Sequence, residues 1–164
     1  MKITLIFLLS VIFLANITDD PSIKPEELIS LTAKKWKGTL MYLDYGKNTE
    51  VSISADLSVM QSESDLNVFY FSYEYPDEPH ANGIDTITVS ENGSKLNDDI
   101  LIENKYTNDT TFTFTTQKQG EDNKKKAEIK HIYSLKGNKF IIRKEVKYEN
   151  EKEFFLRNEY NFER

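Results

Sequence analysis

Between Val51 and Val59 every second residue is apolar: Val51, Ile53, Ala55, Leu57 and Val59, with Ser52, Ser54, Asp56 and Ser58 between them. A period of two sends the two sets to opposite faces of a strand, one against an apolar interior and one against water. The same alternation, with more interruptions, runs on to Arg164. It predicts strands at 38–45, 51–60, 66–75, 84–90, 95–96, 99–106, 110–118, 127–135, 140–148 and 153–162. The links are turn-like: Gly46-Lys47-Asn48, 62–65, Asn92-Gly93, a polar loop at 119–126, 136–139 and 149–152. Segment 76–83, bracketed by Pro76 and Pro79, reads as a rim loop. Hairpin-length links without βαβ spacing give an all-β antiparallel meander. A barrel of about 8–10 strands fits, because closure removes exposed sheet edges and leaves a lumen able to hold one small ligand. A sandwich is the alternative.

Two segments precede the strands. Met1-Lys2 followed by a run at 3–15 that is apolar except for Thr4 and Ser10 reads as a signal peptide covering 1–16, since thirteen residues are too few to span a bilayer as a helix. An uncleaved N-terminal anchor is the alternative, because Phe13 is bulky for a cleavage site after Ala15. Residues 17–24 read as an exposed leader, and 25–164 as one barrel domain. Pro25-Glu26-Glu27 opens a short helix near 25–35, with Ile29, Ala33 and Trp36 on one face at i, i+4 and i+7.

Composition narrows the function. With a net charge of −6 and no dominant basic patch, nucleic acid is not an expected partner. An exported chain with no cysteine fits a bacterial envelope, periplasmic or extracellular, better than an animal secretory route. Two histidines and no cysteine leave little for a transition metal, and Asn97-Asp98-Asp99 reads as an acidic turn rather than a calcium loop. No Gly-x-Ser-x-Gly, phosphate-binding or dinucleotide-binding glycine pattern occurs. Neither an enzyme nor a cofactor is therefore expected.

The exceptions to the alternation are the candidate site. Segment 127–135 carries Ala127, Ile129, Tyr133 and Leu135 on its apolar face, with His131 in the middle. Lys144 stands among Phe140, Ile142, Val146 and Tyr148, and Asn158 among Phe154, Leu156, Tyr160 and Phe162. A buried Lys or His needs a partner. One reading is a polar patch of His131, Lys144 and Asn158, joined by Tyr42 and Tyr70, that receives a ligand headgroup. The other is an internal network satisfied by Asp44, Glu74 or water, and a strand bulge can turn a residue outward. The expected function is non-catalytic binding of a small hydrophobic or amphipathic ligand. The alternative is an envelope protein-interaction module or inhibitor with a filled core. A membrane is met only through an uncleaved N-terminal segment.

Trp36-Lys37-Gly38-Thr39-Leu40, after a short helix and before an antiparallel meander, resembles the start of a lipocalin-like (calycin) barrel. In that family a Trp near the first strand packs against an Arg near the last, which the resemblance matches to Trp36 and to Arg157 or Arg164. The chain departs from the family in placing Gly38 after Trp36 rather than before it, and in lacking a Thr-Asp-Tyr motif. The link at 46–50 is too short for the two helices of fatty-acid-binding proteins. The style of the chain is similar to small exported lipocalin-like proteins of Bacteroidetes.

Overall fold

The computed structural model describes residues 20–164. The expected signal segment and the first part of the leader lie outside the described residues. Ten strands follow one another along the chain: β1 (Trp36–Asp44), β2 (Thr49–Gln61), β3 (Val68–Glu74), β4 (Gly83–Thr88), β5 (Lys95–Leu96), β6 (Asp99–Asn108), β7 (Thr111–Asp122), β8 (Lys125–Lys136), β9 (Lys139–Tyr148) and β10 (Phe155–Glu163). They form one antiparallel sheet in the order β4-β3-β2-β1-β10-β9-β8-β7-β6-β5, with the pairing of β1 and β10 joining two meanders. The sheet curls into a nearly closed barrel, as the alternation predicts.

Closure is completed at one end of the seam between β4 and β5. Val89 and Leu96 form a single bridge, Ser90 N–H donates to the Lys95 carbonyl (3.0 Å), and Asn97 N–H donates to the Thr88 carbonyl (2.7 Å). Asn97 then leaves the ladder at φ 53. Its amide accepts from Thr88 N–H (2.8 Å) and donates to the Thr86 carbonyl (2.9 Å), covering backbone groups of the β4 edge that would otherwise be bare.

The base of the barrel is solid. Pro25–Ala33 is a 3-10 helix, so buried positions recur every three residues. Leu28 and Leu31 therefore point inward, while Ile29, expected on the buried face of an α-helix, is exposed. Trp36 is fully buried beneath this helix and donates its indole N–H to the Leu31 carbonyl (2.9 Å). The Arg164 guanidinium lies 4.4 Å from the Trp36 ring centroid and donates to the Ser30 carbonyl (2.7 Å). Arg164, not Arg157, is thus the arginine that meets the tryptophan. Ile23 is also buried, its N–H bonded to the Gly93 carbonyl (3.0 Å), so the expected exposed leader is anchored at this point. Above Trp36, Phe140, Phe162 and Tyr160 continue the aromatic packing at centroid spacings of 5.5–6.4 Å.

Two local differences from the sequence pattern shape the upper lumen. Residues 119–126, read as a polar loop, instead extend β7 and β8 to a two-residue turn at Asn123 and Lys124, both left-handed (φ 46 and 62). Such a turn matches the twist of the strands it joins. The second difference is a bulge in β10: Leu156 pairs with Glu145 and Asn158 with Lys144, leaving Arg157 as the extra residue. N-terminal to the bulge the faces exchange. Phe155 enters the interior beside Ala127, Ile129 and Val146, while Phe154 lies under the Lys130 and Lys147 ammonium groups (4.1 and 4.9 Å).

Gly38 sits where β1 passes closest to β10. A Cβ there would fall 1.8 Å from the Asn161 carbonyl oxygen, a backbone atom held by the ladder. Gly38→Ala is expected to destabilise the protein by about 3 kcal/mol or more, read from the urea unfolding midpoint.

Candidate functional site

Strand register gathers the polar exceptions into one row. Thr116 is opposite His131, His131 opposite Lys144, Lys144 opposite Asn158, and Asn158 opposite Tyr42. All but Tyr42 line a cavity of about 320 Å³ above the solid base. Tyr42 holds its place in the row, half-buried, but does not line the cavity. Tyr70 lies elsewhere: it pairs with Met60 and Thr86 on the outer face and does not reach the cavity. Three consecutive β4 residues, Asp85, Thr86 and Ile87, border the cavity, as do Leu96 and Asn97 across the seam. A strand presents alternate side chains to a lumen, so three in succession place the mouth at the β4 edge, where the seam is open.

The cations are held by two carboxylates. Asp99 accepts from His131 Nδ1 (3.0 Å) and from Lys118 Nζ (2.8 Å). Asp122 accepts from Lys144 Nζ (2.9 Å), from the Tyr148 hydroxyl (3.2 Å) and from the Tyr45 hydroxyl, and Arg157 Nε stands 3.6 Å away. Arg157 also stacks on Tyr45 (4.3 Å) and donates to the Leu43 carbonyl (2.6 Å). Burial opposes ionisation of both acids. For Asp99 the hydrogen bonds from His131 and Lys118 outweigh it, and for Asp122 those from Tyr45 and Lys144 do, so each carboxyl is held below its ordinary value. The partners foreseen from sequence are occupied elsewhere: Asp44 caps the β1–β2 turn through Gly46 N–H (2.8 Å), and Glu74 pairs with Lys35 (2.7 Å).

A second set of lining groups is neutral. Tyr73 and Tyr133 are each only 9% exposed, and among the described residues neither hydroxyl has a hydrogen-bond partner. Burial, joined by neighbouring phenols and the Asp85 carboxylate, raises the Tyr73 phenol well above its usual range. Burial, then Asp99 and Asp85, does the same to Tyr133. Both therefore remain hydroxyls able to donate at physiological pH. Tyr160 shares a hydrogen bond with Tyr75 (2.7 Å) and stacks 5.0 Å from Tyr73. The Asn158 amide also has no side-chain partner among the described residues. The cavity lining is predominantly polar, with Ile87, Leu96 and Ile142 as its aliphatic members.

Reading 119–126 as a loop hid Asp122, and reading 97–99 as a turn hid Asp99. The alternation itself carries the missing signal. Extended past Phe112, Phe114 and Thr116, it brings Asp122 to the inner face, and the spacing of Asp99 and Leu101 does the same on β6. Arg157 had no such signal, because the bulge that turns it inward leaves no mark in the pattern. No protein-family model and no curated protein sequence matches this chain.

The depressed carboxyls fix the sign of the acid response. Their stabilising contribution is complete above the ordinary carboxylate value of 3.8 and is lost as pH falls through the lower folded values. Asp122→Asn leaves Lys144 and Arg157 without their shared counter-charge. It is expected to lose about 3–5 kcal/mol at neutral pH and to show a shallower fall of stability below pH 3.8, measured by urea unfolding across pH.

Proposed function

We propose that the barrel is a non-catalytic binding protein that holds one small, amphipathic and predominantly polar ligand in its mid-lumen cavity. The observation that carries this reading is a set of polar groups that open onto one cavity without a partner among the described residues: the hydroxyls of Tyr73 and Tyr133, on largely buried side chains, and the Asn158 amide. These three polar groups open onto one cavity with no partner from the protein itself, so they favour contents that hydrogen-bond. The polar lining favours an amphipathic ligand over a wholly hydrophobic one. His131 and Lys144 serve this site mainly through Asp99 and Asp122, while Asn158 faces the contents directly.

The lipocalin-like kinship belongs to the same reading and is supported by Arg164 lying over Trp36 at the sealed base. Export to a bacterial periplasm or cell surface rests on the basic start and apolar run of 1–16. A protein-interaction role draws support from exposed Ile84, Ile100 and Ile102, and the cavity favours the ligand-binding reading over it.

Native mass spectrometry of the protein purified from its own host is expected to show a retained small molecule. Asn158→Phe, which fills the cavity, is expected to remove that adduct while the far-UV circular dichroism and thermal midpoint stay close to those of the parent. A bare parent mass, with no thermal shift on adding back a small-molecule extract of the host envelope, would sink the proposal.

A further inference from the structure

The cavity charges are unevenly paired, and the imbalance has a direction. On one wall Asp122 serves both Lys144 and Arg157, leaving one positive charge in surplus. Asp99 is shared between Lys118 and His131. Asp85 is exposed at the cavity rim, and among the described residues its carboxylate makes no salt bridge and no side-chain hydrogen bond. Asp85 pairs in register with Phe71, an inward-facing core residue, so it too points to the lumen. Its field reaches the buried phenols of Tyr73, Tyr133 and Tyr160.

The two groups stand on different walls. β4 and β9 are five strands apart in either direction around the ten-stranded order, which puts Asp85 and Lys144 on opposite walls. Ten strands spaced by about 4.8 Å and tilted by about 40° enclose a barrel roughly 20 Å across. Tyr73, Tyr133, Tyr160 and the Asn158 amide line the same cavity.

We propose that the cavity takes a small zwitterion, its carboxylate received by Lys144 and Asn158 and its ammonium by Asp85 and the tyrosine faces beside it. This rests on the ligand-binding reading above and assigns the chemical class. The Lys144 ammonium has three N–H donors and gives one to Asp122, so it can also bind a carboxylate. An ammonium at Asp85 gains a charge-assisted hydrogen bond and the negative faces of adjacent rings. A molecule carrying one charge answers either Lys144 or Asp85 and leaves the other without an opposite charge from the ligand. The separation across the lumen selects charges several bonds apart, as in a short peptide or an ω-amino acid. An α-amino acid carries both on one carbon. The volume suits this, being about ten times that of one liquid water molecule.

Isothermal titration of the purified protein with glycylglycine, glycyl-phenylalanine and γ-aminobutyrate tests the class, and free phenylalanine tests the spacing. At least one of the first three is expected to bind more tightly than free phenylalanine. Its N-acetylated and C-amidated forms are each expected to bind about ten- to a hundredfold more weakly. Asp85→Asn lies at the cavity mouth and should fold normally. It is expected to weaken the zwitterion by a similar factor while leaving the N-acetylated form unchanged. Blocked forms that bind as well as the parent, or an Asp85→Asn variant that treats both alike, would overturn the assignment. If none of the three binds but native mass spectrometry shows a retained molecule with one charge or none, the zwitterion falls and the binding function stands. If no probe binds and no molecule is retained, both fall.

Discussion

A lysine and an arginine turned into a barrel lumen need a counter-charge, and in the upper lumen Asp122 supplies it. Its oxygens meet Lys144 from β9, stand near Arg157 from β10, and accept from Tyr45 after β1 and Tyr148 at the end of β9. One buried acid thereby ties together strands spread over much of the sheet order. The arrangement requires β7 to continue as strand to its last residue, which the left-handed pair Asn123 and Lys124 permits by turning the chain in two residues. It also requires the β10 bulge, since without it Arg157 would face solvent.

The lower and upper parts of the interior are built on different physics. Around Trp36 the interior is close-packed aromatic and aliphatic surface, sealed by the 3-10 helix and by Arg164. Burial of that surface is the main stabilising term and needs no partner chemistry. Above Tyr160 and Tyr133 the row Thr116, His131, Lys144 and Asn158 replaces it with groups that must be satisfied individually. The cavity lies at this change of regime. Its mouth coincides with the seam between β4 and β5, where the ladder is incomplete.

The alternation made the container legible because it depends on one rule, the two-residue period of a strand, applied over long stretches. Strand positions, meander order and the inward aim of His131, Lys144 and Asn158 all follow from it. It lost accuracy where the rule is locally suspended. Polar strand ends flanking a tight turn look like a loop, which concealed Asp122. A bulge shifts parity without changing composition, which concealed Arg157 and exchanged Phe154 for Phe155. The helix was assigned to the right place with the wrong period, and so Ile29 was taken for buried in place of Leu28 and Leu31. Tyr70 was misplaced for a related reason: its partner Met60 lies past the end of the clean run, on the outward face.

The two sequence readings of the polar row, internal network or ligand patch, turn out to divide by residue. His131 and Lys144 belong to the network, since each has a carboxylate within 3.0 Å, and breaking either pair would leave a charge stranded. Asn158, Tyr73 and Tyr133 belong to the patch, since nothing in the surrounding protein answers their polar atoms. Charges paired internally hold the cavity open, and the donors and acceptors the protein leaves over, the Asn158 amide and the two phenols among them, are where its contents bind.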